Sequence, residues 1–268
     1  MGDESLARIP VVILCGGMGT RLREATESIP KPLVDIGGKP ILWHIMKIYG
    51  HYGFRRFVLC LGYRAWDIKE YFLRYRENLA DFTVHLKDDH NPLFHDTRGD
   101  EDWEVTCVDT GLSTGTGGRI GRIERFIDNE TFMLTYGDGI GAVDLHALVE
   151  THRREQRVGT VTGVHPTSRY GEMHVSGSHV VEFNEKPTMA DGFVSGGFFV
   201  FERRFFDYVS SDEGLFLEAE PLRNLAKDGQ LAMFQHEGFW MGMDTFREYT
   251  MLNELWAQGV APWKVWND

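Results

Sequence analysis

The chain begins with an apolar segment that predicts a buried strand and that ends in a glycine-rich loop. Val11–Leu14 is followed by the sequence C-G-G-M-G-T-R at 15–21, and Lys31 comes ten residues after Arg21. Because a loop without side chains can point several backbone N–H groups at one spot, this arrangement is typical of phosphate binding. Arg21 and Lys31 add two positive charges, which favour a triphosphate over a neutral ligand.

Two familiar phosphate motifs are excluded by the same residues. The dinucleotide fingerprint G-x-G-x-x-G lacks its third glycine here, and the P-loop G-x-x-x-x-G-K-[ST] lacks its lysine. A tight strand-to-helix turn with an incidental arginine is the alternative, but the spacing to Lys31 favours a phosphate site.

The full string carries a resemblance to a known family. G-G-x-G-T-R-L…P-K-P-L resembles the signature of the sugar-phosphate nucleotidylyltransferases, and G-G-K-P-I-L-W-H-I-M at 37–46 is similar to their narrower branch, the glucose-1-phosphate cytidylyltransferases. The resemblance runs from about Ile9 to the closing A-P-W-K-V-W at 261–266, which is nearly the whole chain.

Strand-like and helix-like segments alternate along the chain, which predicts an α/β fold. We expect one domain over residues 1–268, with a Rossmann-like, mixed and mostly parallel central sheet flanked by helices. A smaller β region is expected to hold the sugar. Residues 1–8 are predicted to be a flexible extension, and the polar segment Asp88–Asp102 a long surface loop, mobile or used in assembly.

Charge and cysteine content limit the partners and the compartment. The formal net charge of -12 disfavours binding to nucleic acid or to an anionic membrane. No eighteen-residue apolar run is present, so no transmembrane helix is predicted. Cys15, Cys60 and Cys107 form an odd, sparse set in apolar surroundings, which favours buried thiols in a reducing cytoplasm over a disulfide framework.

Two carboxylates are candidates for binding Mg²⁺. Asp138 lies between two glycines directly after an apolar strand-like segment, and strand ends form the ligand crevice of open α/β sheets. Mg²⁺ prefers one or two carboxylates together with phosphate oxygens and water; an ordinary turn aspartate is the alternative. The resemblance implies that Asp244 is the second metal ligand, and this role is compatible with capping the helix that follows.

The segment 110–119, T-G-L-S-T-G-T-G-G-R, lies where the resembling enzymes read the base. Small residues leave a slot for a planar ring, T-G-G-R matches the cytidylyltransferase branch, and Arg119 could bond a cytosine carbonyl or a phosphate; a flexible loop is the alternative. This string favours CTP over dTTP or UTP. The predicted nucleotide-binding residues are Leu14, Gly16, Gly17, Gly19, Thr20, Arg21, Lys31, Thr116, Gly117, Gly118, Arg119 and Asp138.

The resemblance also implies a sugar-phosphate site in the second half of the chain. There Lys186 would bind the phosphate and Glu185 the sugar hydroxyls. Glu172 and Ser195 depart from the Ala and Asn that relatives usually carry, which leaves the hexose open. The residues expected at this site are Tyr170, Gly171, Glu185, Lys186, Ser195 and Gly196.

The resemblance implies a Mg²⁺-dependent transferase that joins CTP and α-D-glucose 1-phosphate into CDP-glucose and pyrophosphate. Arg21 and Lys31 would stabilise the departing pyrophosphate, Asp138 would hold the metal, and Lys186 would aim the sugar phosphate; these four are the predicted catalytic residues. The resemblance further implies a cytoplasmic homo-oligomer, such as a hexamer, that supplies a dideoxyhexose pathway.

Three alternatives remain open from the sequence. The transferase could use another base or another hexose. A glycosyltransferase usually carries a D-x-D metal motif, and G-D-G at 137–139 lacks the first aspartate. A non-catalytic sensor of nucleotide sugars predicts the loss of Arg21, Lys31 or an aspartate, and all of them are present.

Overall fold

A seven-stranded β-sheet forms the centre of the protein in the computed structural model, which describes residues 4–19, 29–87, 92–95, 101–165, 172–176, 179–184 and 192–267. The strands in chain order are β1 (Pro10–Cys15), β2 (Asp35–Ile36), β3 (Lys39–Pro40), β4 (Arg56–Leu61), β5 (Phe82–Thr83), β6 (Leu93–Phe94), β7 (Glu104–Asp109), β8 (Thr131–Tyr136), β9 (Gly139–Gly141), β10 (Gly159–Val164), β11 (Glu172–Ser176), β12 (His179–Asn184), β13 (Val194–Glu202), β14 (Leu231–His236) and β15 (Trp240–Gly242). The helices are α1 (Glu4–Ala7), α2 (Ile41–His51), α3 (Ala65–Leu73), α4 (Tyr75–Leu79), α5 (Thr116–Arg122), α6 (Leu145–Glu155), α7 (Glu220–Lys227) and α8 (Phe246–Ala257).

The central sheet has the order β14-β10-β13-β8-β1-β4-β7. Strands β8, β1, β4 and β7 pair in parallel, as do β10 and β14, while β13 runs antiparallel to both of its neighbours. The mixed, mostly parallel sheet predicted from the sequence is therefore confirmed. All strands except β13 end at one edge of the sheet, which is the edge where open α/β sheets bind ligands.

Both faces of the sheet are covered, and this explains the apolar strands. In β1, Val11, Ile13 and Cys15 pack into one core cluster, while Val12 and Leu14 pack into the other. Successive side chains of a strand point to opposite faces, so a strand buried on both faces needs an unbroken apolar sequence. Helices α2, α6 and α8 contribute to the first cluster, and α5 and α7 to the second.

Helix α2 shows the apolar spacing of a helix packed on a sheet. Ile41, Leu42, Ile45, Ile48 and Tyr49 recur at helical spacing, and all five are buried. The helix begins one residue after Pro40, whose fixed φ suits the start of a helix and which needs no N–H there. Within the described residues, every helix is too short or too polar to cross a membrane.

Part of the N-terminal extension predicted over residues 1–8 is helical: Glu4–Ala7 forms α1, and Leu6 is buried in the core. Strand β5 is short; it pairs with the two residues of β6, and Val84 and Leu86 after it are exposed. Of the loop predicted over 88–102, residues 88–91 and 96–100 lie outside the described residues.

A smaller β region is present beside the central sheet. Strands β11 and β12 form their own antiparallel pair, and β15 pairs with β9. All three cysteines are free thiols; Cys15 and Cys60 are buried as predicted, and Cys107 is half-buried at the sheet edge.

His44 lies at the centre of an aromatic cluster that the tryptophans near the C-terminus complete. Its ring is fully buried, with Nε2 2.9 Å from the carbonyl of Ile36, and Trp263 Nε1 donates to Nδ1 at 3.4 Å. Trp256 and Trp266 pack against the same ring. Burial lowers the pKa of His44 to about 4, so the imidazole is neutral at pH 7.

We predict that acid destabilises the fold through His44. A folded-state pKa below the unfolded one gives stability that is fully present above about pH 6.5 and is lost as the pH falls toward 4, amounting to about 3 kcal/mol. Replacing His44→Gln should remove this part of the slope when the free energy of unfolding by urea is measured from pH 7.5 to 4. The exposed His85→Gln serves as the control, and an unchanged slope in His44→Gln would contradict the prediction.

Candidate active site

A cleft of about 310 Å³ opens at the carboxyl edge of the sheet. Its walls come from the loop after β1, from the segment 114–116 and from the turn after β8. The predicted residues that line it are Leu14, Gly16, Gly17, Gly19, Lys31, Thr116, Arg119, Asp138 and Asp244. The fold thus brings together residues that are more than two hundred positions apart in the sequence.

Lys31 joins the two candidate metal carboxylates. Its ammonium lies 2.6 Å from Asp138 Oδ2 and 2.8 Å from Asp244 Oδ1, and only 10% of its side chain is exposed. Burial alone would lower the pKa of Lys31, but the attraction of both carboxylates outweighs it and the pKa lies above its ordinary value. The side chain is therefore a fixed positive charge inside the cleft.

A short ribbon explains why the two aspartates meet. Strand β9 follows Asp138 directly, and β15 ends two residues before Asp244; the two strands pair antiparallel with Gly139 opposite Gly242. Met243 N–H then donates to the carbonyl of Asp138 at 2.8 Å. Strands of three residues leave no periodic signal, so the sequence could not pair these aspartates.

The sequence had suggested that Asp244 could cap the helix that follows it. In the structure Asp244 is not the N-cap. Thr245 is the N-cap of α8, and it forms a capping box with Glu248. Glu248 Oε2 accepts from the backbone N–H groups of both Asp244 and Thr245, at 2.7 and 2.8 Å. The backbone at Asp244 is held by the helix end, and its carboxylate faces the cleft.

Arg119 holds the floor of the cleft together. The residue is only 4% exposed, and burial lowers the pKa of its guanidinium, which remains charged. A Cβ at position 16 would overlap this guanidinium, so the first glycine of the loop is required by Arg119. The acceptors, at 2.7–3.3 Å, are the carbonyls of Gly16, Leu61, Gly111 and Leu112 and the hydroxyl of Thr110. Direct contact of Arg119 with a base stays a prediction.

The string T-G-G-R is helical in the structure, whereas the sequence had suggested a slot for the base, with a flexible loop as the alternative. It opens helix α5, and the segment 210–218 crosses close to that helix. Gly118 N–H donates to the carbonyl of Leu215 at 3.0 Å, and a Cβ at Gly118 would overlap the carbonyl of Asp212. The small residues that were expected to leave a slot for the base therefore admit another part of the backbone.

A carboxylate outside the cleft lining connects two of its walls. Glu218 accepts from the hydroxyl of Tyr136 and, at 2.8 Å, from that of Thr116. Burial and the neighbouring Glu218 raise the pKa of the Tyr136 phenol, so it stays protonated and donates. Tyr136 directly precedes the G-D-G turn and could have been noticed there, whereas nothing in the sequence pointed to Glu218, Phe216 or Glu248.

Some predicted site residues lie elsewhere or are not described. Gly117 and Gly118 face the segment 210–218, and Ser195 and Gly196 lie at the start of β13, outside the cleft lining. The remaining predicted residues, Thr20, Arg21, Tyr170, Gly171, Glu185 and Lys186, lie outside the described residues.

The sequence matches a protein family over most of its length. Residues 10–259 match the family described as nucleotidyl transferase. The chain belongs to this family.

Curated relatives of this nucleotidyl transferase carry a narrower name. It is 46% identical over 255 residues to a protein of Bacillus subtilis (strain 168) described as a probable glucose-1-phosphate cytidylyltransferase, covering 95% of this chain and 99% of that one. The glucose-1-phosphate cytidylyltransferase of Salmonella typhimurium is 43% identical over 256 residues, covering 95% and 98%. The resemblance inferred from the sequence is confirmed.

Solved structures share the fold of this nucleotidyl transferase. HddC from Yersinia pseudotuberculosis, in a crystal structure with GMP-PN, has a TM-score of 0.67 at 24% identity and covers 92% of this chain and 99% of that one. The inositol-1-phosphate CTP transferase of T. maritima has a TM-score of 0.64 at 17% identity, covering 93% and 96%. At these identities the likeness shows the fold alone, and it confirms the predicted fold class.

We predict that Arg119 stabilises this nucleotidyl transferase before any ligand binds. Arg119→Ala would leave buried carbonyls without donors and should lower the free energy of unfolding by about 3 kcal/mol. Arg119→Lys should recover little, because one ammonium cannot serve acceptors spread over three loops. Urea unfolding without nucleotide measures this, with the exposed Arg125→Ala as control; a loss below about 0.5 kcal/mol in Arg119→Ala would contradict it.

Proposed function

We propose that the protein transfers a cytidylyl group from CTP to α-D-glucose 1-phosphate and forms CDP-glucose and pyrophosphate. The observation that carries the proposal is the convergence of Lys31, Asp138 and Asp244 in a cleft with a glycine-rich wall. The base and the sugar follow from relatives that are 46% and 43% identical over nearly the full length and bear this activity in their names.

The glycine-rich loop and Lys31 form the triphosphate end of the proposed site. A Cβ at Gly17 would meet no atom within 4 Å, so a phosphate can come close to the backbone there. Lys31 lies on the same cleft with a fixed positive charge. Because transfer moves negative charge onto the departing pyrophosphate, such a charge stabilises the transition state more than the ground state.

The two carboxylates fit a divalent cation. In the structure the Lys31 ammonium is the cation between them, which demonstrates that both oxygens can approach one positive centre. Among the described residues, no group of three or more His, Cys, Asp or Glu side chains could hold a metal. Asp138 and Asp244 would hold Mg²⁺ with phosphate oxygens and water completing its shell, and the ion would neutralise phosphate charge.

The sugar phosphate would bind on the side of the cleft nearest the start of β13. Trp240 Nε1 donates to the carbonyl of Gly196 at 2.7 Å and ties the start of β13 to the ribbon that leads to Asp244. The sugar-binding roles of Ser195 and Gly196, and of Tyr170, Gly171, Glu185 and Lys186, stay proposals. Lys186 is proposed to align the sugar phosphate for attack, and Arg21 is proposed to hold the phosphates of the nucleotide.

The reaction needs positioning and charge neutralisation rather than a covalent nucleophile. A phosphate oxygen of the sugar attacks the α-phosphorus of CTP, the bond from that phosphorus to the bridging oxygen breaks, and pyrophosphate leaves with the electron pair. The attacking oxygen is already ionised at neutral pH, so no general base is required. The chain supplies binding, alignment and fixed charge.

We further propose, from the resemblance, a cytoplasmic homo-oligomer, such as a hexamer, that supplies a nucleotide sugar for dideoxyhexose synthesis. Exposed apolar side chains on α3 and after β5 support association: Trp66 is 62% exposed, Leu73 74% and Leu86 93%. Such a surface is suited to burial against another copy. Its test is the molar mass in solution by light scattering.

We predict that CTP and glucose 1-phosphate are the best pair in a substrate panel. CTP, UTP, dTTP and GTP would be combined with glucose, mannose and galactose 1-phosphates, and pyrophosphate release measured. A site that hydrogen-bonds the cytosine amino edge should prefer CTP over UTP by about 5- to 150-fold in kcat/KM. Equal use of UTP would remove the cytidylyl assignment, and no release from any pair would contradict the proposed reaction.

We predict that metal binding depends on Asp138. Asp138→Asn keeps the shape of the turn and removes one of the two charges, so kcat should fall on the order of 10²-fold or more. Binding of Mn²⁺ with CTP, followed by electron paramagnetic resonance, should weaken in parallel. The matched control is Asp144→Asn at the N-cap of α6, where both residue types cap well. Undiminished activity in excess chelator would contradict the metal assignment.

A further inference from the structure

One large apolar side chain on the cleft has no assigned role. Phe216 lines the cleft together with Thr114, Gly115 and Thr116, yet 55% of its surface is exposed. Its Cδ1 lies 3.4 Å from the position that a Cβ on Gly115 would take, and the carbonyl of Leu215 lies closer still, so residues 215 and 216 pack directly against the backbone of Gly115. The neighbouring Leu217 is fully buried.

The backbone on both sides of Phe216 is fixed. Gly115 N–H donates to the carbonyl of Glu213 at 2.8 Å, and Gly118 N–H donates to that of Leu215 at 3.0 Å. After Phe216, Leu217 N–H donates to the hydroxyl of Thr116 at 2.8 Å. The backbone that carries the ring is therefore held at the rim of the cleft before any ligand arrives, which lowers the entropy lost on binding.

We propose that Phe216 is the stacking wall of the base subsite, which rests on the proposed function of this cleft. The phosphate-binding groups, the glycine-rich loop and Lys31, belong to other parts of the lining, and an uncharged ring adds nothing to phosphate binding. A planar base offers a whole π-face for this ring, whereas ribose and glucose offer only C–H bonds to it. Phe216 supplies affinity for the base rather than selectivity between bases.

Stacking predicts a pattern of binding changes that differs from that of hydrogen bonding or phosphate binding. Every base has a π-face, so stacking on an aromatic side chain tolerates different bases. Loss of the ring should weaken CTP and UTP by similar factors and leave the preference between them unchanged. It should also leave binding of tripolyphosphate, which has no base, unchanged.

The test is calorimetric titration of the full-length protein with CTP, UTP and tripolyphosphate, each in the presence of Mg²⁺. Phe216→Ala should raise the Kd for CTP about 5- to 150-fold and leave that for tripolyphosphate within twofold. Phe216→Tyr should bind CTP like the unaltered protein, and Phe216→Leu, apolar but without a ring, should behave like the alanine variant. Phe82→Ala, which removes an exposed aromatic side chain on β5 outside the cleft lining, is the matched control.

The outcomes separate this proposal from the proposed function. If the unaltered protein binds CTP and Phe216→Ala binds it within twofold, the stacking wall is wrong and the transferase proposal stands. Equal weakening of CTP and tripolyphosphate, or normal binding by Phe216→Leu, would also overturn the stacking role. If the unaltered protein binds no nucleotide, both proposals fail.

Discussion

A buried guanidinium ties the carboxyl ends of three parallel strands together. Arg119 donates to Gly16 after β1, to Leu61 at the end of β4, and to the turn that follows β7. A charge this deeply buried is stable only when its donors are paired, and carbonyls at strand ends are costly when left without donors. The guanidinium and the carbonyls satisfy each other, and this holds the loop that forms one wall of the cleft at its first residue, Gly16.

Lys31 is a second buried cation, but its partners differ in kind. The acceptors of Arg119 are mainly uncharged backbone carbonyls at the ends of strands. Arg119 therefore has a structural role, because it holds the backbone below the cleft in place. Lys31 lies between Asp138 and Asp244, whose side chains are 38% and 31% exposed to the cleft. On the proposed function, these carboxylates exchange the Lys31 ammonium for a metal ion when a ligand enters. Arg119 thus fixes the backbone below the cleft, and Lys31 occupies the centre of the cleft.

The sequence was sufficient to predict strands and helices, but it was insufficient to predict which of them contact one another. Apolar and helical spacing predicted alternating strands and helices, and the apolar run Val11–Leu14 identified β1, because burial on two faces or on one stripe leaves a recognisable pattern. The pairing of Asp138 with Asp244 depends on the β9–β15 ribbon, which is too short to leave one. Helix α5 was missed because Gly117, Gly118 and Gly121 disfavour a helix, and packing against the segment 210–218 overrides that preference.

On the proposed function, the glycines of T-G-G-R affect base selectivity only indirectly. They face Leu215 and Asp212, so their small size sets how closely the segment 210–218 approaches α5. That approach in turn fixes Thr116, whose hydroxyl donates to Glu218 and accepts from Leu217. A motif that resembles a base-reading loop can therefore act on the base through the wall it positions. Larger residues in T-G-G-R would move that wall before they touched a ligand.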